Sequence, residues 1–268
     1  MPRPNLKRLL ASDKLKAGHS LFEFSTPGIG QILGATGIDF VFVDMEHSGF
    51  GITELKQLIT SLRAANLPSL VRPPSKSYHH IARVLDVGAD GLLLPMVATA
   101  DEARQIVLNA NYPPQGQRGI ALGIAHDGYH PQTPHKALQS ANRRIGIATL
   151  IETVEGVQNV DEIAAVEGVD CIWLGHFDLS PSRGIPGEFD HPDFQQSERK
   201  IRKAARKHGK ALGFLVVSPE QGIDRFQKRV LTLSATKQMS VLPTDINYPH
   251  RKTPESVAVE TKAGKNNE

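Results

Sequence analysis

Residues 40–72 read FVFVDMEHSGFGITELKQLITSLRAANLPSLVR. Phe40–Glu46 is a short apolar run, Ile52–Ala65 carries apolar residues at three- and four-residue spacing, and Ser69–Arg72 is a second short run. A run too short for a helix, a stretch of helical period and another short run spell strand, helix, strand. The same rhythm extends in both directions. Ser20–Ser25 precedes it, and Gly91–Val97, Gly146–Glu152, Cys171–His176, Ala211–Val217 and Val230–Ser234 follow, making eight runs. Their near-continuous apolarity suits parallel strands buried on both faces. Ala100–Asn111 repeats the helical pattern behind the caps Thr99 and Asp101, and Gln195–His208 is a charged helix ending at Gly209. Gly88 and Gly168 close the helices before runs four and six.

Eight such units in 268 residues predict an α/β protein, a (β/α)8 TIM barrel over residues 1–242. An open dinucleotide-binding sheet is disfavoured, because no G-x-G-x-x-G follows an early run. Two stretches break the rhythm. Tyr112–Arg144, rich in Gly, Pro and His, is too long for an ordinary connection and is expected to be a functional loop or lid. Residues 243–268 are polar, contain Pro243 and Pro249, and are expected to form a disordered tail.

The formal net charge is +3, and much of the excess sits in segments such as Arg199–Lys203 and Arg206-Lys207, read as a solvated helix face. No basic stripe is interleaved with aromatics, which argues against nucleic acid as a partner. The single cysteine, Cys171, lies in an apolar run, excludes an internal disulfide and fits a reducing compartment. No apolar run approaches the ~20 residues that cross a bilayer, and MPRPNLKRLL lacks a signal-peptide pattern, so a cytoplasmic protein is expected.

In a barrel the chemistry lies where the strands end. Run two ends in Asp44-Met45-Glu46-His47, run three in Arg72, run five in Glu152, and run six passes through Gly175-His176-Phe177-Asp178. Any one of these charged groups can simply cap a helix; four clusters on one rim point to a site. Glu152 and Asp178 end neighbouring strands and offer two hard oxygen ligands with positions left open, which suits Mg²⁺ or Mn²⁺ better than zinc. Arg72 carries a fork of donors for a carboxylate or enolate oxygen. Histidine titrates near neutrality, which makes His47 the natural general base, with Asp44 or Asp86 to orient it.

The stretches FVFVDMEHSGF (40–50), VRPPS (71–75), VLDVGADGLLLPMVATADEAR (84–104), YPPQGQRG (112–119), LIETVEGVQNVDEIAAVEGVD (150–170) and WLGHFDLSPSRGIPGEFDHP (173–192) resemble the HpcH/HpaI aldolase family. These are class II, metal-dependent pyruvate aldolases of the phosphoenolpyruvate/pyruvate barrel superfamily, and the match covers nearly the whole barrel. The resemblance implies Glu152 and Asp178 as ligands of a divalent cation (Mg²⁺ or Mn²⁺, with Co²⁺ as a substitute). It implies His47 as base with Asp86 as its partner carboxylate, and Asp44 as a further acidic site residue. Arg72 would contact the pyruvate oxygens, backbone amides at Gly175 and Phe177 would hold the pyruvate carboxylate, and Leu215 would form an apolar wall.

The chain departs from the family pattern at three places. Leu150 stands where many members have Gln, and Gly175-His176-Phe177-Asp178 replaces a Gly-Pro-Ala-Asp turn. Past Ser234-Ala235-Thr236-Lys237 the chain soon turns polar, where relatives carry a long apolar helix that packs on a neighbouring subunit. A homo-oligomer is implied by the resemblance, and this end of the chain departs from what the family's hexamer uses.

The implied reaction is reversible cleavage of a 4-hydroxy-2-oxo acid into pyruvate (or a close 2-oxo acid) and an aldehyde, through a metal-stabilised enolate. Two other readings compete: a CoA-thioester lyase of the citrate lyase β and malyl-CoA type, and an inactive barrel that serves as a binding protein. A Schiff-base site on Lys76 or Lys237, which follow runs three and eight, is disfavoured because polar neighbours surround both.

Overall fold

The computed structural model describes residues 5–12, 15–130, 133–216 and 233–234. Eight strands run parallel in sequential order, each hydrogen-bonded to the next: β1 (Gly18–Leu21), β2 (Phe40–Asp44), β3 (Ser69–Arg72), β4 (Gly91–Leu94), β5 (Gly146–Ile151), β6 (Cys171–Leu174), β7 (Ala211–Val216) and β8 (Leu233–Ser234). The sheet curls so that β1 and β8 come within 8 Å of each other in Cα positions. The helices are α1 (Leu6–Leu10), α2 (Ile29–Ala35), α3 (Ile52–Ala64), α4 (Tyr78–Asp86), α5 (Ala100–Ala110), α6 (Pro134–Asn142), α7 (Val154–Gln158), α8 (Val160–Ala165), α9 (His176–Ser182) and α10 (Pro192–Lys207). The protein is therefore an α/β fold on a curled, all-parallel sheet. Among the described residues no helix is long and apolar enough to cross a membrane.

Strand parity explains why the runs are apolar throughout. Phe40, Phe42, Leu70, Leu93, Ala148, Leu150, Cys171, Trp173 and Ala211 pack together on the concave face, and Leu6 and Leu10 of α1 join them. The intervening residues, among them Val41, Val43, Val71, Leu92, Leu94, Ile147, Ile151, Ile172 and Leu174, pack outward against the helices. Side chains alternate with period two, so both faces need apolar residues when both are covered. Carried one step past the last core residue, the same parity turns Asp44, Arg72, Glu152, Gly175 and Leu215 toward the concave face at the carboxyl ends of the strands.

Two expectations are adjusted. The first strand is Gly18–Leu21 and not Ser20–Ser25. It starts early because Gly18 leaves its Cβ space to the Phe40 ring, whose nearest atom would lie 2.2 Å from an added methyl. Tyr112–Arg144 is not irregular throughout: Ala125–Asp127 forms a 3-10 turn and Pro134–Asn142 forms α6, with proline in the first turn where its missing N–H costs nothing. This segment also joins α5 to β5, so its two ends lie at the amino ends of the strands, opposite the rim. It is pinned to the outer helices by Arg63 Nη1 on the Ala125 carbonyl (2.6 Å) and by the Gly119 amide on the Tyr78 hydroxyl (2.9 Å). Its described residues are thus tied to α3 and α4. Finally, the tail 243–268, Lys237 and most of the run Val230–Ser234 lie outside the described residues.

Candidate active site

β2 and β3 are in register, Asp44 opposite Arg72. Both end their strands facing inward, and the guanidinium lies fork to fork on the carboxylate, Nε donating to Oδ1 at 2.9 Å and Nη2 to Oδ2. Asp44 is 0% exposed and also accepts the Glu46 amide on Oδ1 at 2.9 Å. The pair is thus a rigid element: the buried carboxylate fixes the arginine plane and turns the chain after β2. The guanidinium also lies 5.6 Å from the centroid of the Phe42 ring.

Glu46 extends the pair. Its Oε2 lies 3.1 Å from Arg72 Nη1 and 3.7 Å from His47 Nε2. Burial is the main cause that raises its carboxyl above the ordinary value, and Arg72 opposes the rise. Sequence reasoning passed over Glu46 because it stands between two stronger candidates, Asp44 and His47; only its reach to Arg72 on the next strand sets it apart. His47 stands at the rim with its side chain 61% exposed.

Glu152 follows β5 and is 3% exposed. The Met96 amide donates to its Oε1 at 2.6 Å. Its Oε2 turns to the β6 side, where an added Cβ on Gly175 would meet Oε2 at 2.7 Å and the Glu152 Cβ at 2.7 Å. Its carboxyl is raised to about 7, by burial first and by the neighbouring charge of Asp178 as well; the Met96 hydrogen bond and Arg72 pull the other way. Asp178 sits exposed in the first turn of α9. The carboxylates Glu46, Glu152 and Asp178 all feel one another here, while Arg72 is already engaged by Asp44 and Glu46. Such a set of hard oxygens short of positive charge fits a divalent cation. Among the described residues no three His, Cys, Asp or Glu side chains close into a metal cage, so protein ligation would rest on the pair Glu152 and Asp178.

The other expected residues fall as follows. Gly175 lies at the rim, but its own amide donates to the Ile151 carbonyl at 3.0 Å, so what it offers the site is space, not a donor. Phe177 belongs to the first turn of α9 and its amide precedes the first helical hydrogen bond, Leu179 to Gly175. Its ring is 50% exposed and packs on His176, centroids 4.1 Å apart. Leu215 is half-buried on β7. Leu150 is buried in the concave core beside Trp173 and makes no polar contact where a glutamine would. Asp86 ends α4, and its Oδ1 takes Arg118 Nη2 at 2.5 Å. Among the described residues the structure does not join Asp86 to His47; the carboxylate nearest the imidazole is Glu46. Lys76 Nζ donates to Glu102 Oε1 at 2.5 Å and to the Met96 carbonyl at 2.6 Å. Both contacts hold the amine against the turn after β4.

The glycine makes one prediction. Gly175→Ala is expected to push the Glu152 carboxylate off its position and to weaken Mn²⁺ binding by about 10–100-fold, the range for disturbing a ligand's support. Calorimetric titration checks it, and unchanged affinity would show that Glu152 has other room.

A curled parallel sheet with its carboxylates, arginine and histidine gathered beyond the carboxyl ends of the strands is the arrangement of an α/β enzyme. The family model for HpcH/HpaI aldolase/citrate lyase matches residues 23–237. A 5-keto-4-deoxy-D-glucarate aldolase of Klebsiella pneumoniae is 35% identical over 213 residues, covering 79% of this chain and 82% of that protein. A 2-keto-3-deoxy-L-rhamnonate aldolase of Escherichia coli is 34% identical over 196 residues, covering 73% of each. The crystal structure of an HpcH/HpaI aldolase from Desulfitobacterium hafniense superimposes with a TM-score of 0.83 at 30% identity, covering 99% of this chain and 98% of that one. The chain belongs to the HpcH/HpaI aldolase/citrate lyase family and is a carbon–carbon lyase of the class II pyruvate aldolase type. Enzymes of this class work with a divalent metal.

Proposed function

We propose that the protein reversibly cleaves a 4-hydroxy-2-oxo acid into pyruvate, or a close 2-oxo acid, and an aldehyde. The observation that carries the reading is the inward-facing, buried Glu152, pinned on one oxygen by Met96 and close enough to Asp178 and Arg72 to feel both charges. The approach of β8 to β1 supports a closed (β/α)8 barrel around this rim. Glu152 and Asp178 would hold Mg²⁺ or Mn²⁺, and the bound ion supplies Lewis acidity toward the keto and carboxylate oxygens of the 2-oxo acid.

The chain's own residues divide the remaining work. Of the five N–H groups of Arg72, two serve Asp44 and one faces Glu46, leaving two for a substrate oxygen. In cleavage the bond between C3 and C4 breaks, its electron pair moves toward the keto oxygen, and the C4 hydroxyl loses its proton as the aldehyde forms. Arg72 is charged throughout and is held in one plane, so it stabilises the oxygen on which charge grows without reorganising. His47 takes the hydroxyl proton and returns one to C3, with Glu46 beside the ring to orient it. Phe177 and Leu215 supply apolar walls.

The test is pyruvate release from a panel of 4-hydroxy-2-oxo acids with and without Mn²⁺ or Mg²⁺. EDTA is expected to stop turnover, either ion or Co²⁺ to restore it, and borohydride with pyruvate to leave the enzyme active. Covalent trapping of pyruvate on a lysine, with indifference to EDTA, would overturn the mechanism. Cleavage confined to CoA thioesters would overturn the substrate class.

A further inference from the structure

Met96 is the residue that donates to Glu152, and it does so from a costly conformation. Its φ is +53°, in the left-handed region that a side chain with a Cβ seldom adopts. Such a residue persists only where its surroundings over-determine it. The surroundings here come from two other elements. Lys76, in the loop after β3, donates to the Met96 carbonyl at 2.6 Å. The same ammonium is held by Glu102 Oε1 at 2.5 Å. Glu102, in the first turn of α5, takes the Ala98 amide on its other oxygen at 2.8 Å, and the Val97 amide reaches back to the Leu150 carbonyl at 3.2 Å. The turn from β4 into α5 is thus tied at Met96 and at the two residues after it. Its tie to the β3 loop is one lysine.

We propose that Lys76 is a positioning residue for the metal-ligating carboxylate: it holds the Met96 peptide, whose amide fixes Glu152 Oε1 and leaves Oε2 facing the β6 side. This rests on the reading of Glu152 as a metal ligand. The proposal has a sign that simple electrostatics does not share. Lys76 is a cation near a cation site, so by Coulomb's law alone its removal tightens metal binding. If it works through Met96, its removal loosens binding, because the freed peptide relaxes and the carboxylate loses its hydrogen bond. Outer partners of metal ligands change affinity by about 10–100-fold.

The experiment is calorimetric titration of the full chain with Mn²⁺. Lys76→Met is expected to weaken binding on the order of tenfold, the low end of that range. Adding Met96→Gly is expected to recover most of the loss, because glycine takes φ +53° without the clamp. Glu152→Gln serves as the reference for loss of the ligand itself. Lys76→Met that binds as tightly as the wild type or tighter, or a double variant no better than Lys76→Met, would overturn the positioning role while Glu152→Gln still marks the site. A wild-type chain that takes no Mn²⁺, or Glu152→Gln with undiminished affinity, would bring down the metal reading and this proposal with it.

Discussion

Glu152→Gln is expected to lower turnover by on the order of a thousandfold, since a Lewis acid is worth several kcal/mol to a developing oxyanion and each ~1.4 kcal/mol is tenfold. The substitution keeps the shape of the side chain, and the amide oxygen can still accept from Met96, so the rim geometry is retained. What disappears is the anionic oxygen that faces Gly175 and the β6 side. Stability is expected to move the other way. Glu152 is buried among like charges from Asp178 and Glu46, and neutralising it in metal-free protein relieves that repulsion. Thermal unfolding in EDTA is therefore expected to show a midpoint equal to or above that of the wild type. The rise in midpoint that Mn²⁺ gives the wild type, by binding only the native state, is expected to vanish. Full turnover of the variant at limiting Mn²⁺ would remove Glu152 from the site.

Arg72→Lys separates charge from shape. Lysine keeps the positive charge but presents a point donor on a flexible stem in place of the planar fork. Asp44, fully buried, would keep its contact with the Glu46 amide but lose the paired donation from Nε and Nη2. The ammonium has no reason to leave its donors aimed at one substrate oxygen. Removing a single pre-aimed donor from a developing oxyanion costs roughly 10²–10³ in kcat, and that loss is expected here with a far smaller change in KM. Steady-state kinetics on the cleaved substrate measures both. A change confined to KM would make Arg72 a docking residue, and the charge stabilisation would have to come from elsewhere.

What the amino-acid pattern determined by itself is what depends on neighbours along the chain. Apolar runs and helical stretches in alternation set the class and the order of the strands. Asp44, Arg72 and Glu152 were legible as rim residues because each continues the inward parity of its own strand one step past the core, a matter of period two. Cys171 was legible as a buried thiol for the same reason, and burial raises its pKa. The helix α6 was missed because local glycine, proline and histidine outweighed the Thr133-Pro134 start signal.

The tertiary structure alone decided which of these groups meet. That Arg72 locks onto Asp44 follows from the register of β2 on β3. That Asp86 is paired with Arg118 follows from a segment that arrives from 32 residues further on. That Lys76 meets Glu102 follows from the first turn of α5, which presents the carboxylate across the gap between two strand ends. Strand parity is a property of the backbone and is written locally. A partner depends on where a long side chain from another element happens to end, and a displacement of an ångström or two there exchanges one hydrogen bond for another.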